Sequence, residues 1–391
     1  MKIKYVLIIS LTFCCIAFGQ QDRSFRIENH LRIGHDDNVT QSYDSSSGVK
    51  TFYYSDIFNL SGKFKLSGRT DLIVFWQPEL RYYATNDLED HALFLQDLYL
   101  DYAHELNEKT SLVVTDRYRN SEQAVNDSGD NNQFAENIFK ASVRYIIDQR
   151  NVVNTLISFA DRAYDNDSTN PGVTRDYEQV TFTPLFTRSL NRSGDSISLG
   201  HSITDHTLDY GAGGVLSSTF FVGYDRVFNS QFISSLQLGY TDAEIDQSGI
   251  SSDSTSPFFE LGFNYRLSEK TALNASYSYS LKYTTLNLYN AEQREDILVS
   301  VAHDLTAKIK VATSLSLVNS AYESDFLRDI SYITNIGDPN KEDESMIISL
   351  RADYKINRNN AVEAGYQGRF RDGDFGEYDR NMLFFGWKLN I

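Results

Sequence analysis

The chain of 391 residues has only two cysteines, Cys14 and Cys15, and both lie close to its start. Beyond them there is no thiol, which excludes disulfide bonds, thiolate metal sites and cysteine nucleophiles from the rest of the chain. No run of about 18 apolar residues follows the first twenty positions, so the sequence predicts no membrane-spanning helix there. Proline is also scarce, at five residues, and this scarcity favours long uninterrupted strands.

The first residues have the pattern of an export signal. Lys2 and Lys4 precede an apolar run, and Ala17 and Gly19 are small residues at the spacing of a cleavage site. This pattern predicts a secretory signal peptide over residues 1–19 and an exported protein over residues 20–391. A lipid anchor is not expected, because the bulky Phe13 stands where a small residue should precede the modified cysteine.

Aromatic residues are abundant, with 25 Tyr and 25 Phe, and they occur in segments of strict alternation. In LNASYSYSLKY (273–283), Leu273 and Tyr277 fall on one face and Asn274 and Ser276 on the other. The same period recurs along the chain and predicts eighteen strands, with sixteen as the alternative count. Their expected positions are 24–34, 51–66, 70–83, 92–105, 110–119, 133–147, 152–164, 176–188, 196–205, 215–228, 231–244, 257–267, 271–283, 295–305, 308–320, 344–356, 361–370 and 380–391.

The connections between these strands alternate between short turns and long loops. The short turns are expected at 67–69, 106–109, 148–151, 189–195, 229–230, 268–270, 306–307 and 357–360. The long loops are expected at 35–50, 84–91, 120–132, 165–175, 206–214, 245–256, 284–294, 321–343 and 371–379. The apolar faces run for about 9–11 residues, the length of a tilted transmembrane strand. The sequence therefore predicts an all-β fold, a closed up-and-down antiparallel transmembrane β-barrel with short periplasmic turns and long extracellular loops.

Charge is distributed unevenly over this predicted barrel. The chain has 53 acidic and 36 basic residues, and the excess of acid is concentrated in the long loops. Such loops repel anions at the mouth and contact lipopolysaccharide through divalent cations. An acidic surface makes nucleic acid an unexpected partner.

The polar faces of the strands carry both signs of charge, with a modest basic excess. These candidate lumen-facing residues are Arg32, Glu79, Arg81, Asp97, Arg117, Arg119, Arg144, Arg162, Glu260, Arg266, Lys282, Arg351, Asp353, Glu363 and Arg369. Arginines in a pore attract carboxylate or sulfate groups, which they bind through two parallel hydrogen bonds. The same residues can instead form arginine–carboxylate ladders that only stiffen the wall, and both interpretations stay open.

The segment RIGHDDNVTQ (32–41) resembles the opening strand and first loop of a family of outer-membrane barrel porins associated with exopolysaccharide or capsule export. This resemblance implies a wide barrel that serves polymer export. Asp36 and Asp37 are expected to lie in a solvated loop, although paired aspartates also occur in calcium sites. The terminal strand NMLFFGWKLNI resembles the signal that the outer-membrane assembly machinery recognises, which implies that machinery as a partner.

Catalysis is not expected from this sequence. HSITDH (201–206) contains two histidines, but alternation places His201 on the apolar face and His206 at a loop edge, so no single face gathers a triad. The other histidines lack metal-site spacing, and no glycine-rich phosphate loop is present. We therefore expect no enzyme activity, no cofactor and no metal.

Three functions remain as expectations for an outer-membrane protein of a Gram-negative bacterium. The first is a conduit for exopolysaccharide or other anionic or sugar solutes. The second is a general diffusion porin, and the third is a non-conducting surface or adhesion barrel that acts through its acidic loops. The lipid and lipopolysaccharide of the outer membrane are expected partners in each case. Loop 321–343 is expected either to constrict the pore or to project outward.

Overall fold

The computed structural model describes residues 23–39, 48–85, 92–121, 134–164, 176–208, 213–247, 250–283, 291–323, 340–374 and 376–391. These residues form eighteen β-strands, and the described connections contain only turns and bends. In chain order the strands are β1 (Arg23–Asp36), β2 (Thr51–Ser67), β3 (Thr70–Tyr83), β4 (Ala92–Glu105), β5 (Thr110–Ser121), β6 (Phe134–Ile146), β7 (Asn151–Tyr164), β8 (Tyr177–Ser189), β9 (Ser196–Leu208), β10 (Gly213–Asn229), β11 (Phe232–Gln247), β12 (Ile250–Ser268), β13 (Thr271–Tyr283), β14 (Ala291–Asp304), β15 (Ile309–Glu323), β16 (Asn340–Lys355), β17 (Asn360–Gly373) and β18 (Tyr378–Asn390). Among the described residues no helix is long and apolar enough to cross a membrane.

The strands close into a single ring. Each strand pairs antiparallel with the next one in sequence, and β18 pairs antiparallel with β1. The predicted closed, up-and-down, all-β barrel is therefore confirmed, with eighteen strands rather than the alternative sixteen. Barrels of this strand number leave an interior wide enough for an aqueous channel.

Alternation along each strand separates an outer face from an inner face. On β2, for example, Phe52 is 63% exposed and Phe58 is also exposed, whereas Tyr53 is 5% exposed and Ile57 is buried. Exposed aromatic and aliphatic side chains of this kind cover the outside of the ring on every strand pair, from Leu80 on β3 to Phe385 on β18. A continuous exposed apolar wall is stable in lipid and not in water, so the fold is that of a transmembrane barrel.

Eight short turns join the strands at one end, which we call the turn end; the opposite end is the loop end. The turns occupy 68–69, 106–109, 147–150, 190–195, 230–231, 269–270, 305–308 and 356–359, within two residues of the predicted positions. In seven of them a side-chain oxygen near the start of the turn accepts the backbone N–H two residues later; the acceptors are Ser67, Asn107, Asp148, Asn229, Ser268, Thr306 and Asn357. Such side chains offer the backbone a local partner and so fix the turn.

The Asp148 turn shows the electrostatic side of this arrangement. The backbone N–H of Arg150 and the amide of Asn151 donate to the carboxylate, and they hold the pKa of Asp148 below its usual range. The ionised carboxylate is therefore the form that the folded turn favours.

The strands reach further than predicted at the loop end. Residues 245–256 were expected to form a long loop, yet β11 runs to Gln247, β12 begins at Ile250, and Ile245 pairs with Ser252. The prediction was wrong because Ser and Asp dominate this segment and hide its alternation, while ladder hydrogen bonds still pair the backbone. Likewise β15 runs to Glu323 and β16 begins at Asn340, so most of loop 321–343 lies outside the described residues.

Candidate functional site

The candidate site is the inner face of the barrel, which divides into two regions of different chemistry. The inner face of β16–β18 and β1–β7 carries most of the charged residues, and we call it the charged wall. On β8–β11 the described inner face contains no lysine or arginine and is rich in serine and threonine; we call it the hydroxyl wall.

A buried carboxylate organises the centre of the charged wall. The Glu363 side chain on β17 is fully buried, and it accepts from Arg32 Nε at 2.7 Å and from the Arg351 guanidinium at 2.8 Å. Lys388 Nζ lies 3.2 Å from the same carboxylate, and His30 Nδ1 lies at 3.6 Å. Four strands, β1, β16, β17 and β18, thus meet through one carboxylate.

Asp353 extends this group. It pairs with Lys388, and its carboxylate lies 3.5 Å from Arg351. The Arg32 guanidinium also lies 4.7 Å from the centre of the Phe384 ring, a cation–π contact. We call Arg32, Arg351, Asp353, Glu363 and Lys388 the Glu363 cluster.

Further ion pairs follow around the charged wall from β3 to β7. Arg81 pairs with Glu79 at 2.8 Å on β3, and Arg117 on β5 pairs with Asp97 on β4 at 2.6 Å. These pairs place each predicted arginine beside a predicted carboxylate. Their positive charge is largely neutralised where it arises, as in the wall-stiffening interpretation.

Glu136 on β6 is shared by two arginines. Arg119 on β5 pairs with it, and Arg162 on β7 lies 2.6 Å from its other oxygen. The Arg162 guanidinium is also 4.6 Å from the centre of the Phe134 ring. Glu136 was not among the candidates, although its position on the polar face of a strand between two arginine-bearing strands marks it.

Five predicted site residues stand apart from these networks. Among the described residues, Arg144, Glu260, Arg266 and Lys282 form no ion pair, and Lys63, Lys65 and Lys140 on the same inner face form none either. Arg369 is buried near the loop end of β17, opposite Arg380 in register. The unpaired lysines and arginines are the inner-face charges that a passing solute meets without a competing carboxylate.

The segment 32–41 has a structural role that the sequence did not reveal. Asp36 and Arg380 are almost fully buried, with side chains 0% and 1% exposed, and Arg380 Nε lies 3.0 Å from Asp36 Oδ2. Asn381 donates to Asp37 from its backbone N–H at 2.6 Å and from its side-chain amide at 2.9 Å. We call these four residues the seam latch, because they join β1 to β18 at the loop end.

The seam latch overturns the expectation that Asp36 and Asp37 lie in a solvated loop. Both carboxylates are occupied by β18, whose residues lie more than three hundred positions away in sequence. Among the described residues, no group of three or more potential ligands has the arrangement of a metal site.

Sequence reasoning missed a second buried pair near the latch. Arg371 and Asp343 were both assigned to loops, yet they lie on β17 and β16 with their charged groups 2.8 Å apart. It also missed Lys388, although alternation with Trp387 and Leu389 on β18 was a signal that could have found it.

Neutral hydroxyl pairs link the strands of the hydroxyl wall. The oxygens of Thr183 and Ser202 lie 2.9 Å apart across β8 and β9, and those of Thr219 and Thr241 lie 2.9 Å apart across β10 and β11. Each hydroxyl both donates and accepts, so the wall presents polarity without net charge.

The segment HSITDH does not gather a catalytic group. His201 lies on the outer face and contacts the Ser218 hydroxyl at 2.8 Å, whereas His206 is buried on the inner face beside the Tyr177 ring. The two histidines therefore lie on opposite sides of the wall. This arrangement provides no nucleophile–base pair at the segment.

No protein-family model matches the chain, and no curated protein sequence matches it. Among solved structures the chain is similar to OpdL of Pseudomonas aeruginosa, at 11% identity and a TM-score of 0.44 over 95% of this chain and 99% of that one. It is similar to OccAB4 of Acinetobacter baumannii, at 9% identity and a TM-score of 0.47 over 95% and 99% of the two chains. The siderophore receptor PirA of Pseudomonas aeruginosa gives 9% identity and 0.47 over 95% and 81%. Likenesses this distant carry no argument about function.

Proposed function

We propose that the chain is an outer-membrane channel of a Gram-negative bacterium through which small hydrophilic solutes diffuse. One observation carries this proposal, the closed ring of eighteen strands with an exposed apolar outer face and a polar, charged inner face. Such a wall separates lipid from water. In this orientation the turn end faces the periplasm and the loop end faces the outside.

The inner face supports a weak preference for anions rather than strong selectivity. Arg32, Arg81 and Arg351 each lie beside a carboxylate, which cancels most of their field at the distance of a passing ion. Lys140 and Arg144 on β6 are without such a partner among the described residues. They supply the residual positive potential.

Passage of an anionic or sugar polymer, as in exopolysaccharide export, is the second candidate. The unpaired basic residues Lys63, Lys65, Lys140 and Arg144 favour it, because they lie on the inner faces of β2 and β6. A series of weak basic sites lets a polyanion move where one tight site would hold it.

The test is conductance in a planar lipid bilayer under a salt gradient. We expect open channels with a slight excess of anion over cation permeability. Arg144→Gln should lower the anion-to-cation permeability ratio. The double change Asp97→Asn with Arg117→Gln removes a whole ion pair, keeps the net charge, and should leave the ratio unchanged.

The outcomes separate the candidate functions. Block of the current by acidic oligosaccharides from the turn end would favour the polymer conduit. Strong cation selectivity would exclude a polyanion path. Absence of conductance from a folded barrel would contradict the channel and leave the non-conducting surface protein.

A further inference from the structure

Two carboxylates lie on the outer face, inside the apolar wall. Asp56 on β2 falls between the exposed Tyr54 and Phe58, and its partners in register are the exposed Leu31 and Leu80. These neighbours place the Asp56 side chain among residues that face lipid.

Asp116 occupies the equivalent position on β5. Leu100 on β4 and Phe139 on β6 are its partners in register, and the outward residues two positions away along β5 are Val114 and Tyr118. Asp116 is thus surrounded by apolar side chains on all four sides.

Each carboxylate has an asparagine beside it on the adjacent strand. The Asn29 amide donates to Asp56 Oδ1 at 2.5 Å. With its amide oriented to donate, Asn137 lies 3.0 Å from Asp116 Oδ1 and 3.1 Å from the carbonyl of Arg117. One oxygen of each carboxylate therefore has an amide donor, and a carboxylate that meets hydrocarbon with its second oxygen unbonded is costly.

The rest of the outer wall lacks this feature. On β8–β18 the described outward acids, such as Asp205, Asp242, Glu295 and Glu344, have no large apolar outward residue beyond them toward the loop end. Asp56 has Phe52 and Tyr54 beyond it, so it is at hydrocarbon depth, and Asp116 has Tyr118. The two buried-depth carboxylates are confined to one side of the barrel.

We propose that this side is an interface between copies of the chain, in which the Asp56–Asn29 pair of one copy meets the Asp116–Asn137 pair of the next. The second N–H of Asn29 is available to Asp116 Oδ2 of a neighbour. The Tyr118 hydroxyl beside Asp116 is available to Asp56 Oδ2 in return. The two patches complement each other, which selects a second copy over an unrelated partner.

The positions of the patches define the symmetry. They are four strands apart in a ring of eighteen, about 80° around the barrel, so contact between unlike patches is head-to-tail and closes into a ring. The two neighbours of a subunit lie about 60° apart in a three-fold ring and about 90° apart in a four-fold ring. The interface therefore builds a closed ring of three or four barrels.

Disulfide trapping tests this arrangement without background, because a chain that begins at Gln20 has no cysteine. Leu31→Cys places a thiol beside Asp56, and Val114→Cys places one beside Asp116. After folding into lipid vesicles and mild oxidation, the double variant should form a covalent trimer or tetramer. Each single variant should stay monomeric on denaturing gels.

Three results would overturn the proposal. A covalent dimer of the Leu31→Cys variant alone would show contact between like patches. Failure of the double variant to cross-link would do the same, as would a monomeric mass for the unmodified chain by native mass spectrometry from mild detergent.

Removal of one carboxylate tests the chemistry. In the double-cysteine background, Asp116→Leu should reduce the cross-linked fraction at least tenfold. Thr313→Leu, an outward change on β15 away from both patches, should leave it unchanged. Heat-modifiable gel mobility reports that each variant has folded, since leucine on the lipid face does not disturb a barrel; equal cross-linking of the folded Asp116→Leu variant would also overturn the proposal.

Discussion

The charged wall and the hydroxyl wall are built from the same strands with the same alternation, yet they hold the barrel together by different means. At Glu363 one buried carboxylate joins four strands and several cations, so each member depends on the others. At Thr219 and Thr241 a neutral hydrogen bond joins two strands and involves no other charge. A buried ion pair that loses one partner leaves an uncompensated charge, whereas a hydroxyl pair that loses one partner leaves only a weak dipole.

This difference teaches where the barrel tolerates change. The hydroxyl wall can be altered at the level of single contacts, and it presents a passing solute with neutral hydrogen-bonding groups. The charged wall is a network in which stability and electrostatics are coupled. Three experiments test this contrast.

The largest effect is expected from Glu363→Gln. The change removes the charge that balances Arg32, Arg351 and Lys388, and loss of one partner of a buried pair costs about 3–5 kcal/mol. The free energy of unfolding, measured by guanidinium titration of the barrel folded in lipid vesicles, should fall by that amount. A loss below about 1 kcal/mol, typical of a neutral hydrogen bond, would remove the contrast between the two walls.

A smaller effect is expected from a charge placed in the hydroxyl wall. Ser202→Lys introduces a cation on β9, where the described inner face of β8–β11 offers no cation and few carboxylates. The anion-to-cation permeability ratio should rise roughly twofold, because an unpaired charge acts on the pore at full strength. Lys140→Gln on the charged wall is the matched opposite change and should lower the ratio. Equal ratios for both variants would contradict the role of unpaired charge.

The smallest effect is expected from Thr219→Val and Thr241→Val. Valine keeps the shape of threonine, and the paired removal of both hydroxyls should cost no more than about 1 kcal/mol. A double-mutant cycle on unfolding free energies should give a coupling of about 0.2–1 kcal/mol, as for other cross-strand pairs. A larger coupling would mean that the hydroxyl wall is also a network.

Much of the fold follows from the sequence alone. Alternation and turn residues such as Asn229 and Asn357 locate all eighteen strands and all eight short turns, because each signal is local. The loop-end extensions of β11 and β12 do not follow from it. There the strands continue without the apolar periodicity from which strands are recognised.

The candidate site follows only in part. Alternation suffices to propose which residues share a face, as for Arg32 and Glu363. It cannot show that these two meet, because they are 331 positions apart and their contact depends on how β1, β17 and β18 pair in register. For the same reason the sequence placed Asp36 in solvent, when its partner is Arg380.

The seam latch has a consequence for how the barrel is completed. Asp36 is near the start of the chain and Arg380 near its end, so the carboxylate remains uncompensated until the last strand arrives. Every partly assembled ring carries that unpaired charge at its open edge, and only the complete ring removes it. The latch thus acts as a checkpoint for completion: an incomplete barrel with its first strand buried against the wrong neighbour pays a penalty that the finished one does not.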